Sequence, residues 1–292
     1  MMRGKIALVT GANAGMGKVI AAQLARQGAT VVLVCRDPDK GKQAQQEIAR
    51  VTENPAVDLL IADLSSQQAV RQVAQEFHQR YSRLHVLVNN AGAHITERRL
   101  SADGLEMNLA INHLSAFLLT NLLLATLRAS APARIVNVAS NAMTRALALD
   151  DLQGARTFVP FHAYGQAKLA MVLCTYALAR KLAGTGVTVN ALHPGITATT
   201  IVDDVAPPIA RPFLGIIKHF LRTPEQGAQT ALYLATSPEV DGVTGKYFVD
   251  GRQKPSVPIS YDVALQERMW TISAELVGLS ATTPEGEHAL WR

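Results

Sequence analysis

Apolar residues fall in short β-branched runs separated by longer stretches with helical spacing, and this alternation persists almost from end to end of the chain. Runs at Ile6–Val9, Thr30–Val34, Val57–Ile61, Leu84–Val88, Arg134–Val138, Val187–Leu192 and Lys246–Val249 read as strands. Helices are predicted between them over 16–27, 37–50, 66–81, 105–128, 161–183 and 224–236. Strands that are apolar on both faces, each followed by a helix, predict a seven-stranded parallel sheet covered on both sides. Right-handed crossovers wind such a sheet twice and leave a ligand site at the carboxyl ends of the strands, near the topological switch. With no composition shift, linker or repeat, residues 1–292 read as one α/β domain, with a C-terminal helix at about 260–278 and a loose tail over 280–292. Ser260 or Asp262 can cap that helix, and its stripe of Leu265, Met269, Ile272 and Leu276 stops at Gly278.

The polar interruptions carry the chemistry. The first strand runs into Thr10-Gly11-Ala12-Asn13-Ala14-Gly15-Met16-Gly17-Lys18. Glycines there permit a tight turn and close approach of backbone N–H groups to a pyrophosphate, which the following helix start also attracts. Placed after a first strand, this turn predicts a dinucleotide site of the Rossmann type. The second strand ends in Cys35, and Arg36 follows, which predicts NADP(H), since an arginine accommodates a 2′-phosphate that an acid would repel. In the alternative reading Arg36 is a solvated loop residue and Asp37 takes the ribose. At Asp63-Leu64 a carboxylate can meet the adenine amino group or instead cap the next helix. Asn89-Asn90-Ala91-Gly92 is small and polar enough to bring backbone against a flat ligand, although Asn90 can equally serve only its own loop.

Tyr164 and Lys168 stand four apart on the fifth predicted helix and so share a face. An ammonium about 5 Å from the phenol favours the phenolate by roughly 3 kcal/mol at an effective dielectric of about 20, equal to about two pKa units. Desolvation opposes this. A tyrosine and a lysine at this spacing also occur by chance on many helices.

Composition narrows the classes. Of 292 residues, 48% are hydrophobic and 17% charged, which fits a globular enzyme. The net charge of +5 is spread with acids between the bases, so no nucleic-acid footprint is expected. Cys35 and Cys174 form no metal spacing and no metal site is predicted; they suggest structural thiols in a reducing, cytoplasmic setting, with a disulfide as the alternative reading. The first strand begins at about Lys5, so neither a signal peptide nor a transmembrane segment is expected before it.

Taken in order, Gly11, Gly15 and Gly17, the 89–92 motif, Ser140, the Tyr164–Lys168 pair and Pro194-Gly195 resemble the short-chain dehydrogenases/reductases along nearly the whole chain. Val34–Asp37, Ser101–Glu106, Asn112-His113-Leu114, Ala163–Gly195 and Thr223–Thr230 look like the retinol dehydrogenase branch, which includes the WW-domain oxidoreductases.

The resemblance implies that Tyr164 is the general acid/base, that Lys168 holds the nicotinamide ribose, and that Ser140 orients the carbonyl. It further implies that Asn112 holds a relay water, and that Thr197 and Thr199 meet the carboxamide and pyrophosphate. His193 reads as structural. Asn141–His162 is a longer segment than compact members carry and is expected to wall the substrate pocket. The stretch 197–222 is expected to be an apolar lid, with peripheral membrane contact or a partner subunit as its other use. The nearly all-apolar helices 105–128 and 161–183 exceed what one sheet face buries, and family members pair them across a dimer, so a homodimer or homotetramer is expected. The implied activity is NADP(H)-dependent hydride transfer to or from a lipophilic aldehyde, ketone or alcohol. Two rivals stay open: a light-dependent pigment reductase using the same Tyr and Lys, and a non-catalytic NADP-sensing binding protein.

Overall fold

The computed structural model describes residues 2–195 and 221–280. Eight strands form one sheet: β1 Ile6–Thr10, β2 Thr30–Cys35, β3 Val57–Ile61, β4 Val86–Asn89, β5 Ala133–Val138, β6 Val187–His193, β7 Tyr247–Val249 and β8 Arg252–Gln253. Their order is β3-β2-β1-β4-β5-β6-β7-β8, with β1 to β7 parallel. The predicted seven strands are all present. The eighth is a two-residue antiparallel strand that returns along β7, with Val249 opposite Arg252. Its cause is local: Asp250 and Gly251 adopt φ +53° and +68°, the two left-handed positions of a tight hairpin turn that Asp-Gly favours.

The helices are α1 Gly15–Arg26, α2 Pro38–Thr52, α3 Gln67–Arg80, α4 Met107–Ala129, α5 Pro160–Lys181, α6 Pro224–Thr236 and α7 Val263–Leu276. α1, α2 and α6 cover one face of the sheet, where Ile20, Leu24, Ile48 and Leu234 join the core. α3, α4, α5 and α7 cover the other, around Phe77, Leu118, Leu169 and Met269.

α4 is apolar and long enough to cross a membrane by composition alone, yet 72% of its apolar window is buried inside the protein. α7 supplies much of that cover. Its Trp270 packs edge-on against Phe117 of α4 at 4.8 Å, and Lys181 at the end of α5 sits over the indole at 5.3 Å. The chain's own C-terminal helix therefore covers part of the apolar surface of α4 and α5 that argued for pairing across a dimer. Asp262, one of the two predicted caps, accepts from the Leu265 amide and starts that helix. The predicted lid, apart from Leu221 and Arg222, and the predicted tail, apart from Ser280, lie outside the described residues.

Candidate active site

β1 and β4 are neighbours at the switch of strand order, and the turns leaving them meet. Gly11 and Gly15 take φ +65° and +53°, a region other residues avoid. Gly17 has ordinary backbone angles but no room, since a Cβ there would lie 2.3 Å from the Gly11 carbonyl oxygen and 2.4 Å from Asn90 Nδ2. Asn90 itself is spent on structure: its side chain donates to the Thr10 carbonyl at 2.8 Å and the Gly11 carbonyl at 3.4 Å. Thr10 completes the weld, because its hydroxyl accepts from the Asn90 and Ala91 amides, both at 3.0 Å. Its adjacency to the first glycine was the signal that could have singled it out.

The first turn of α1 holds no acidic residue, and Ala14 at its cap offers no side-chain acceptor. Its leading N–H groups, beside Asn13, Met16 and Gly17, are thus left for an anion. The cradle fits a dinucleotide pyrophosphate.

At the end of β2, Arg36 is exposed. Asp37 accepts from the Asp39 and Lys40 amides, both at 3.0 Å, as the cap of α2. Both bonds fall on one carboxylate oxygen, Oδ1, and Arg36 beside it is exposed. At the end of β3, exposed Asp63 folds back on the Ser65 amide at 2.9 Å, with Leu64 packed on the core. The cap of α3 is Ser66, which accepts from Ala69, so the alternative role proposed for Asp63 falls to its neighbour.

The second half of the site surrounds Lys168, which is 3% exposed. Its ammonium donates to the Val138 carbonyl at 2.9 Å and stands 5.7 Å from the centre of the Tyr164 ring. Gly92 fills the space between Lys168 and Asn112: a Cβ at 92 would come within 2.9 Å of Asn112 Oδ1 and 3.4 Å of Lys168 Nζ. Asn112 sits in a π-turn, Ala110–Leu114, that interrupts α4. Its side chain accepts from the Ala93 amide at 3.1 Å and donates to the Ala93 and Asn108 carbonyls at 2.7 and 3.0 Å. Both amide hydrogens are used, so this side chain first of all fastens the β4 loop to α4. Asn108, one turn earlier, continues the seam by bonding both the N–H and C=O of Ile95. The sequence reading passed over it, although its spacing of four from Asn112 placed both on one face.

Tyr164 is buried at the start of α5, its ring edge-on to His94 at 5.6 Å. Ser140, just past the end of β5, interacts with its phenol. Burial raises the phenol's pKa, and Ser140 only moderates this. The lowering expected from the Tyr–Lys spacing is therefore not found. Desolvation sets the direction, and it acts on Lys168 as well, bringing the ammonium from 10.5 to about 8.

His193, read as structural, accepts at Nδ1 from the Asn141 amide at 3.2 Å. The long segment after Ser140 folds across the start of α5: Gln166 accepts from the Ala148 amide at 2.7 Å, and a Cβ on Gly165 would strike the Ala142 carbonyl at 2.5 Å. Thr197 and Thr199 lie outside the described residues. Among the described residues no cluster of His, Cys, Asp or Glu could hold a metal ion.

Comparison with known proteins gives the family. The sequence model of the short chain dehydrogenases matches residues 5–209. The chain is 41% identical over 295 residues to retinol dehydrogenase 14 of Homo sapiens, covering 96% of this chain and 88% of that protein. It is 39% identical over 288 residues to polyprenol dehydrogenase of Homo sapiens, covering 96% and 87%. A solved structure of an uncharacterised protein from Mycobacterium paratuberculosis aligns over 96% of both chains with a TM-score of 0.76 and 29% identity.

Proposed function

Because the chain belongs to the short-chain dehydrogenase family, we propose that it is an NADP(H)-dependent reductase of lipophilic aldehydes or ketones that also runs in reverse on the corresponding alcohols. The observation that carries the chemistry is the convergence of Tyr164, Ser140 and Lys168 beside Gly92, at the strand ends where the glycine turn can hold a dinucleotide. Gly11, Asn13, Gly15, Met16 and Gly17 would hold the pyrophosphate, Asp63 and Leu64 would flank the adenine, and Ala91 and Gly92 would back the nicotinamide. When bound, the cofactor supplies the hydride.

This chain's residues manage the proton. Ser140 and Tyr164 both present hydroxyls to a carbonyl oxygen seated between them and Lys168. A phenol whose pKa is raised by burial keeps its proton at neutral pH. It is therefore set to donate as negative charge develops on the substrate oxygen. Lys168 then steadies the phenolate, and its anchorage on the Val138 carbonyl holds the cation at that spot.

The choice of NADP(H) rests on Arg36, with Asp37 committed to its helix cap. An apolar substrate is supported by relatives whose names specify retinol and polyprenol, both apolar alcohols.

The test is NADPH oxidation against aldehydes and ketones of graded chain length. Turnover that rises with chain length is expected. Tyr164→Phe should lower kcat by about 10²–10⁴-fold while still binding NADPH. A Phe variant that kept full turnover would remove Tyr164 from the chemistry, and a wild-type protein that bound NADPH but reduced nothing would favour the sensing role.

A further inference from the structure

The second residue of Asn112-His113-Leu114 has no part in the chemistry above, yet it is the point where the C-terminal helix touches the site. His113 is 1% exposed and lies within the π-turn, directly after Asn112. Its Nε2 lies 2.7 Å from Ser273 Oγ on α7, and Ser273 is wholly buried. The direction of that bond can be worked out. Ser273 gives its own hydrogen to the Met269 carbonyl at 2.7 Å, so its oxygen can only accept from the imidazole. His113 therefore carries its proton on Nε2. Cys174 Sγ on α5, at 3.9 Å from Nε2 and 3.7 Å from Ser273 Oγ, closes the cluster. Lys168, also on α5, is the charge that acts on the ring from outside it, and together with burial it holds the imidazole neutral, with a pKa of about 3.

We propose that α7 is a positioning element of the active site, and that the His113–Ser273 hydrogen bond fixes the π-turn so that Asn112 stays against Gly92 and Lys168. A π-turn inserts a residue into the helical ladder and needs outside contacts to hold its register. Here those contacts come from both sides: Asn112 bonds Ala93 and Asn108, and His113 bonds Ser273, more than 150 residues further along the chain. Without Ser273 the imidazole N–H would be buried with only a thiol sulfur 3.9 Å away, too long and weak to hold it. The turn would then be free to relax towards a regular helix, which moves Asn112. His113 and Ser273 are positioning residues and act through Asn112 and Lys168.

This rests on the catalytic reading of Tyr164 and Lys168, so the test pairs turnover with a measurement independent of activity. Three variants are compared. Ser273→Ala removes the acceptor, His113→Leu removes the donor while keeping bulk, and His113→Gln keeps an N–H donor at similar reach. Misplacement of a supporting residue lowers kcat by about tenfold or more, and that loss is expected in Ser273→Ala and His113→Leu, with the KM for NADPH unchanged and most of the rate restored in His113→Gln. Hydrogen exchange of the free proteins should quicken at residues 110–115 in the first two variants and stay at the wild-type rate in the third. Wild-type kcat in Ser273→Ala and His113→Leu would overturn the proposal, as would an equal loss in all three variants. If the wild-type protein reduced no carbonyl at all, the catalytic reading would fail by itself, and the exchange rates at 110–115 would still decide whether α7 pins the turn.

Discussion

Replacing Lys168 with methionine should remove a pH-dependent penalty on folding. The ammonium is wholly enclosed, and burial lowers its pKa from 10.5 to about 8. Between those values the unfolded chain holds a proton that the folded chain has released, so wild-type stability rises with pH across this window by about 1.4 kcal/mol per unit. Below pH 8 the lysine is charged in both states, and its burial costs the fold about 3 kcal/mol relative to the same lysine at pH 10.5 and above. Methionine fills similar volume and has nothing to titrate. It also leaves the Val138 carbonyl without its 2.9 Å partner, a cost of about 1–3 kcal/mol that is the same at every pH. The difference between variant and wild type therefore separates the two terms. Urea unfolding at intervals from pH 7 to 10.5 should find Lys168→Met level with wild type or up to about 2 kcal/mol more stable at pH 7, with wild type gaining about 3 kcal/mol on it by pH 10.5. His113, at about 3, contributes nothing in this range. A difference that stayed flat with pH would mean that the lysine keeps its ordinary pKa, and the account of a desolvated cation beside Tyr164 would be wrong.

Three further outcomes follow from contacts already described. Gly17→Ala places a methyl 2.3 Å from a backbone oxygen that cannot swing aside, so about 1–3 kcal/mol of stability should be lost in thermal unfolding, together with NADPH binding measured by nucleotide fluorescence. Arg36→Ala should weaken NADPH binding by about 1.5–3 kcal/mol in titration calorimetry without changing NADH binding, whereas Asp37→Ala should cost about 1 kcal/mol of stability as a lost cap and leave NADPH affinity intact. The reverse pattern would return the ribose to Asp37. Trp270→Ala should cost about 3–5 kcal/mol, because it removes the aromatic cover of Phe117. Sedimentation of the same variant would show whether the uncovered faces of α4 and α5 then associate.

What was legible in the sequence was local. Each parallel strand and covering helix carries its own period, and glycine turns and the Tyr164–Lys168 spacing are read within a few residues. The hairpin at β8, expected as a loop, and the Asp37 cap, expected at most as a ribose ligand, were missed although Asp250-Gly251 and Asp37-Pro38 carry their local signals. What could not be read was any quantity set by enclosure. Four-residue spacing says that Tyr164 and Lys168 are near one another, but the sign of each pKa shift depends on how much water surrounds them. That is decided by residues as distant in sequence as Gly92, His94 and Val138.

The helices α4 and α5 show the same limit in packing. Their composition demands cover for faces turned away from the sheet, and two solutions meet that demand equally well: a second subunit, or another segment of the same chain. Hydrophobicity cannot tell them apart, because burial is non-directional and is satisfied by any apolar partner. The polar atoms can. Gln266 and Glu267 reach Arg180 and Lys181, and Ser273 meets His113, so α7 is keyed to this surface by directed bonds at both ends. A helix recruited only to hide apolar area would need no such key. These bonds tie the C-terminal helix to the residues around Lys168, so the element that covers the apolar face also reaches the chemistry.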